Sequence, residues 1–163
     1  MPFVDIFVDS GILIDPIISV VHNKKSNTIQ FDKFKKNRPS GVEFSITKRV
    51  IQEVKNVFSK INYTLGNFLK ELNGFLKNYH DVSEDIIEKY EDYLVNKINK
   101  NIFQSNFGRD QNLSILKSFT EWIIDIMNVN KNVQKINKDK LLYEMNSKIQ
   151  EYVNEIKNIY FLS

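Results

Sequence analysis

Asp9, Glu53, Asp110 and Asn112 are the side chains with which this chain could do metal chemistry. Asp9 closes the apolar run "IFV" and is followed by Ser10 and Gly11. A carboxylate at the end of a buried strand stands where open α/β sheets gather their reactive groups. Glu53 lies between Val50 and Val54, at the border of an apolar helical stripe. Asp110 and Asn112 open another helix, where the positive helix end favours an anion. Three or four oxygens brought together from separate segments suit Mg²⁺ or Mn²⁺, which prefer carboxylate and water. Such an ion activates water against a phosphodiester and steadies the leaving oxygen. Each residue taken alone has a plainer role. Asp9 before Ser-Gly forms a turn, Glu53 is a solvated helix residue, and Asp110 and Asn112 are N-terminal caps.

The elements that must position these residues follow from periodicity. Residues 3 to 8, "FVDIFV", read as a short strand, apolar on both faces. "GILIDPIISVVHN" reads as a helix with Pro16 in its first turns. Residues 22 to 41 are polar, basic and turn-rich, hence a loop. Val42 to Ile46 form a second strand. Thr47 can cap the helix that carries Val50, Ile51, Val54, Val57 and Phe58. A further helix runs through Leu65, Phe68, Leu69, Leu72, Phe75 and Leu76, weakened by Gly66 and Gly74. Ser83, Glu84 and Asp85 start a helix carrying Ile87, Tyr90, Leu94 and Ile98. After a turn at Gly108 comes a helix with Leu113, Leu116, Ile123 and Met127. Residues 137 to 157 make a long amphipathic helix, and the closing "NIYFLS" has strand character. Strand signals at both ends with helices between predict an α/β sandwich.

Four segments, in order, carry a family resemblance. "IFVDSGILI" resembles the opening of a PIN domain, in which an apolar strand ends in Asp, then Ser or Thr, then an aliphatic pair. "SITKRVIQEVKNV" is similar to the second motif, a strand-to-helix passage ending in Glu. "RDQNLSILKSF" resembles the third, an acid three residues before an aliphatic pair. "IYFLS" resembles the late strand that leads into a fourth acid. The resemblance implies one PIN-like three-layer sandwich over residues 1 to 163, with a short parallel sheet, many helices and a truncated C-terminal end. It implies a divalent-metal-dependent endoribonuclease. Asp9, Glu53 and Asp110 would be catalytic and would hold Mg²⁺ or Mn²⁺ with Asn112. Ser10, Thr47, Lys35, Lys36 and Arg38 would meet the RNA. Position 112 departs from the pattern, because Asn offers a carbonyl oxygen without charge. That departure supports an alternative: a catalytically inactive scaffold that binds RNA or a protein.

Composition narrows the setting. A net charge of +3 is compatible with nucleic acid without requiring it. The chain has no cysteine, which excludes disulfides and thiolate metal sites and makes a reducing cytoplasm the default. Asp5, Asp9 and Asp15 interrupt the apolar N-terminal stretch, so neither a signal segment nor a membrane span is expected there. His22 and His80 are far apart in sequence and receive no role. Trp122 reads as core or as a subunit contact. The amphipathic helix over 137 to 157 is the expected surface for a protein partner or a second copy of the chain.

Overall fold

The computed structural model describes residues 4–7, 41–45, 47–129 and 135–160. Its elements, in order, are β1 (Val4–Phe7), β2 (Val42–Ser45), α1 (Lys48–Phe75), β3 (Asp81–Val82), α2 (Glu84–Asn99), α3 (Arg109–Val129), β4 (Ile136–Asn137) and α4 (Lys138–Tyr160). The chain divides into two compact units, one ending at Ser59 and one beginning at Lys60, so the division falls within α1.

In the first unit, β1 and β2 pair in parallel, with Val4 opposite Val42 and Phe7 opposite Ser45. Gly41 enters β2 with φ of +82°, a left-handed conformation that glycine adopts without steric cost. The Thr47 hydroxyl accepts the Val50 N–H at 3.2 Å and so satisfies one of the free donors at the start of α1. Val54 and Phe58 are the buried positions of this part of α1.

The second unit is helical. The α1 stripe continues as Ile61, Leu65, Phe68, Leu72 and Leu76, all buried at intervals of three and four. Where the sequence suggests two helices there is one of 28 residues, because neither proline nor a change of register interrupts that stripe. Ser83 precedes α2 in extended conformation, and its carbonyl accepts the Ile86 and Ile87 N–H groups. Glu84 and Asp85 occupy the positive end of the helix dipole. At the other end Asn101 takes a left-handed φ of 61°. Its N–H reaches Ile98 and that of Ile102 reaches Lys97, the paired bonds of a Schellman stop. Gly108 starts α3 by offering its carbonyl to Asn112 N–H at 3.0 Å. Asn137 starts α4 by accepting the N–H groups of Asp139 and Lys140 on Oδ1. The two-residue strands β3 and β4 pair antiparallel beside it.

The core of this unit is built on Phe68, Tyr90 and Phe119, all fully buried. Phe68 lies 5.7 Å from Phe119 and stacks on Phe103 at 4.5 Å. The Tyr90 hydroxyl donates to the Phe68 carbonyl at 2.8 Å, which joins α2 to α1. Burial raises the Tyr90 pKa well above its ordinary value, with Glu71 and Glu91 adding to the effect. Lys97 of α2 donates to Glu71 of α1 at 2.9 Å. That bond to Glu71 is the chief reason the Lys97 pKa is raised. The stabilisation is therefore complete below the ordinary lysine value of 10.5 and is lost as pH climbs through the raised one. Glu71→Gln should cost about 0.5–1 kcal/mol at pH 7. Urea titrations should show the gap closing as pH passes 10.5.

The expected α/β PIN-like three-layer sandwich is not what forms. Helices of 28, 16, 21 and 23 residues dominate. Among the described residues the strands pair only in twos, β1 with β2 and β3 with β4. Among the described residues no sheet has more than two strands. The segment read as a closing strand is helical as far as Tyr160, and residues 161–163 lie outside the described residues. The physical reason is register: Tyr152, Val153 and Ile156 keep the period of α4 on the buried side, so the helix continues past them. A short apolar run such as "IYF" carries no period of its own that distinguishes strand from helix. The helix expected over residues 11 to 23 and most of the loop after it also lie outside the described residues.

Gly66 sits in the middle of α1, exposed, and a Cβ added there would meet no atom within 4 Å. Gly66→Ala should therefore stabilise the protein by about 0.5–1 kcal/mol, read as a higher urea midpoint at unchanged slope.

Candidate functional site

Of the residues expected to bind metal, the structure describes Glu53, Asp110 and Asn112. Asp9, Ser10, Lys35, Lys36 and Arg38 lie outside the described residues. Glu53 stands in the second turn of α1, with Arg49 Nε 3.4 Å from its Oε1. Asp110 is in the first turn of α3, its side chain 99% exposed and 4.0 Å from Arg109 Nε. Thr47 spends its hydroxyl on the Val50 cap. Asn112 is buried, donates through Nδ2 to the Phe107 carbonyl at 3.2 Å, and leaves Oδ1 without a hydrogen-bond partner. Among the described residues, no three His, Asp or Glu side chains come close enough together to hold an ion.

Asn112 instead belongs to a strap that ties the loop before α3 to α1. Ser105 Oγ accepts the Phe107 N–H at 3.0 Å and shares a hydrogen bond with Thr64 Oγ1 at 3.1 Å. Thr64 also donates to the Lys60 carbonyl, and Asn67 donates to the Gln104 carbonyl. These bonds fix the approach of the chain to α3.

Among the described residues, one surface depression lies between α1 and α4. Gly66, Leu69, Lys70 and Asn73 stand on one face of α1 at intervals of three and four residues, and Leu142 of α4 faces them. They line an open depression of about 350 Å³. Leu69 and Leu142 are half-buried, while Gly66, Lys70 and Asn73 are exposed. Tyr143, next to Leu142, is 73% exposed. Lys77 follows Asn73 by four residues, and Lys138 precedes Leu142 by four. The Lys138 ammonium reaches the Lys77 carbonyl at 3.1 Å, which ties the start of α4 to the turn after α1. Its lining side chains are two leucines, a lysine and an asparagine. The arrangement can bind, through two leucines flanked by Lys70 and Asn73.

Sequence reasoning passed over this place and took Gly66 only as a weakness in a helix. The available signal was its position, on the polar face of an otherwise continuous stripe. The apolar face of α4, expected to dock a partner, is covered by the protein itself. Leu141, Met145, Ile149, Tyr152, Val153 and Ile156 are all buried. Trp122 is likewise core, 6.2 Å from Tyr152, with the Lys148 ammonium 5.7 Å from its ring.

No protein-family model, no curated protein and no solved structure matches this chain. Among the described residues, no helix is long and apolar enough to cross a membrane.

Proposed function

We propose that this protein is an interaction module that receives a helical segment of a protein partner between α1 and α4. The observation that carries the reading is the depression floored by Gly66 and walled by Leu69 and Leu142. A helix lays apolar side chains into such a groove at intervals of three and four. Glycine costs about 1 kcal/mol inside a helix relative to alanine. At Gly66 no neighbour within the chain would be displaced by a side chain. Close approach of a partner backbone gives that cost a purpose. The test is a displayed library of 16-residue helical peptides, selected on the whole protein. Binders should shift the backbone amide resonances of Gly66, Leu69 and Leu142 and should be excluded by Gly66→Trp. Binders that perturb other surfaces, or that ignore Gly66→Trp, would refute the reading.

A metal-dependent endoribonuclease is the second reading, favoured by one observation in the first unit. The parallel pairing sets Phe7 opposite Ser45, Asp9 follows the first of these by two residues, and α1 carries Glu53 after the second. Glu53, now 3.4 Å from the exposed Arg49 guanidinium, would hold Mg²⁺ or Mn²⁺ with Asp9. Lys35, Lys36 and Arg38 would guide the RNA backbone. When bound, the ion would supply an activated water. Cleavage of a single-stranded RNA that stops with chelator and with Asp9→Asn is the expected result of this reading. Cleavage that survives both would dismiss it.

A further inference from the structure

We propose that Asn73 is a site of spontaneous covalent modification: its carboxamide cyclises onto the Gly74 amide and reopens as aspartate or isoaspartate. Asn73–Gly74 is the one place in the chain where glycine follows asparagine. The reaction needs a free carboxamide, an unhindered attacking amide and a backbone that lets the two meet. Asn73 is exposed at the edge of the depression, and its carboxamide has no hydrogen-bond partner among the described residues. Gly74 is exposed too, and no atom lies within 4 Å of where a Cβ would stand. Other asparagines are poorer candidates. Asn67 and Asn112 precede Phe68 and Leu113, and their amides are spent on the carbonyls of Gln104 and Phe107.

The third requirement is met only in part, and that sets the pace. In an α-helix the N–H of residue 74 is aimed at the carbonyl four residues back, and an engaged amide does not attack. Yet Gly74 stands one residue before α1 ends at Phe75. Just beyond, the chain tightens into three-residue bonds, Lys77 N–H to the Gly74 carbonyl at 3.3 Å and Tyr79 N–H to the Leu76 carbonyl at 3.0 Å. The last turn has no basic residue to balance the negative end of the dipole, and glycine weakens it further. Terminal turns open far more readily than helix interiors. Buried Leu72 and Leu76 hold the chain on either side, so the opening is local and brief. In the open turn the Gly74 nitrogen bonds to Asn73 Cγ, the Cγ–Nδ2 bond breaks, and ammonia leaves with the proton that nitrogen gives up. Water then opens the five-membered imide. Cleavage between Cγ and the Gly74 nitrogen gives aspartate. Cleavage between the Asn73 backbone carbonyl carbon and that nitrogen gives isoaspartate, with one extra methylene in the main chain. Either product puts a carboxylate where a neutral amide lines the depression.

The test incubates the whole protein at about pH 8 and 37 °C and follows the tryptic peptide over residues 71–77 by mass spectrometry, with enzymatic methylation to count isoaspartate. Both products should accumulate at position 73 faster than at any other asparagine among the described residues. The folded chain should react about tenfold or more slowly than the same chain in urea, because only the opened turn reacts. Exchange of the Gly74 amide hydrogen should be faster than that of Leu65, which lies in the middle of α1. Gly74→Ala should slow the reaction about tenfold or more. Alanine meets no atom there, so the variant should keep the helical circular dichroism spectrum of the parent. No product at position 73 in the folded chain, while the unfolded chain is modified, would overturn the proposal. So would faster reaction at Asn146, which precedes the small Ser147 in α4, or an unchanged rate in a folded Gly74→Ala protein. Equal rates in the folded and unfolded parent would overturn the gating by α1.

Discussion

Phe68→Ala should lower the unfolding free energy by about 3–5 kcal/mol. Phe68 is wholly buried and stands where three segments meet α1. It stacks on Phe103 of the loop after α2, lies against Phe119 of α3, and its carbonyl receives the Tyr90 hydroxyl of α2. Alanine removes the ring and leaves a cavity that rigid helices cannot close, so the lost transfer energy and the lost dispersion contacts add. A domain of this size has about 5–15 kcal/mol of stability in total, so the variant should be largely unfolded in urea concentrations the parent tolerates. Phe103→Ala makes the comparison, because Phe103 is only half-buried and its removal opens towards solvent. Its cost should be well under half as large. Equal losses at the two positions would mean that the core is not centred on Phe68.

Asn112→Asp has the second largest expected effect, and it separates the two views of position 112. The side chain is 5% exposed, its amide donates to the Phe107 carbonyl, and its oxygen has no partner. Aspartate keeps the shape but replaces the donor by an anionic oxygen 3.2 Å from a carbonyl oxygen. Burial disfavours the charge, so the folded-state pKa of the new carboxyl lies above its unfolded value of about 3.9. The sign follows from linkage: below about pH 4 the group is protonated in both states and the penalty is small. As pH rises through the folded-state value the penalty grows to its full size, about 3 kcal/mol. Urea midpoints of parent and variant should therefore diverge from pH 4 to pH 7. If Asn112 stood in place of a metal-binding acid, the same substitution would create a site. Millimolar Mn²⁺ would then raise the variant's midpoint and chelator would reverse the gain. The hydrogen bonding around Phe107 predicts no such rise.

Much of the helical architecture is legible in the residues themselves. Ser83 with Glu84 and Asp85 marks the start of α2, and Ile87, Tyr90, Leu94 and Ile98 are its buried stripe. Thr47 caps α1, and the short runs at Val4–Phe7 and Val42–Ser45 are strands. These features are local: a cap needs a hydroxyl and a nearby N–H, and a stripe needs only a period. The candidate site was not legible in the same way. Asp110 and Asn112, two residues apart in one helix start, have opposite fates, one in solvent and one buried against Phe107. The identities of the two residues do not foretell that difference. It comes from which side of α3 the preceding loop crosses, and that is set by Thr64, Asn67 and Phe68 on a distant helix.

By itself, then, the order of residues determined where several helices start and which residues form their buried stripes, because capping and periodicity act over a few residues. Tertiary structure alone decided that the closing segment stays helical to Tyr160 and that α4 spends its apolar face on its own core. It also decided that Gly66 opens a groove opposite Leu142. Those outcomes depend on which helices meet, and the free energy of that meeting comes from side chains far apart in the chain.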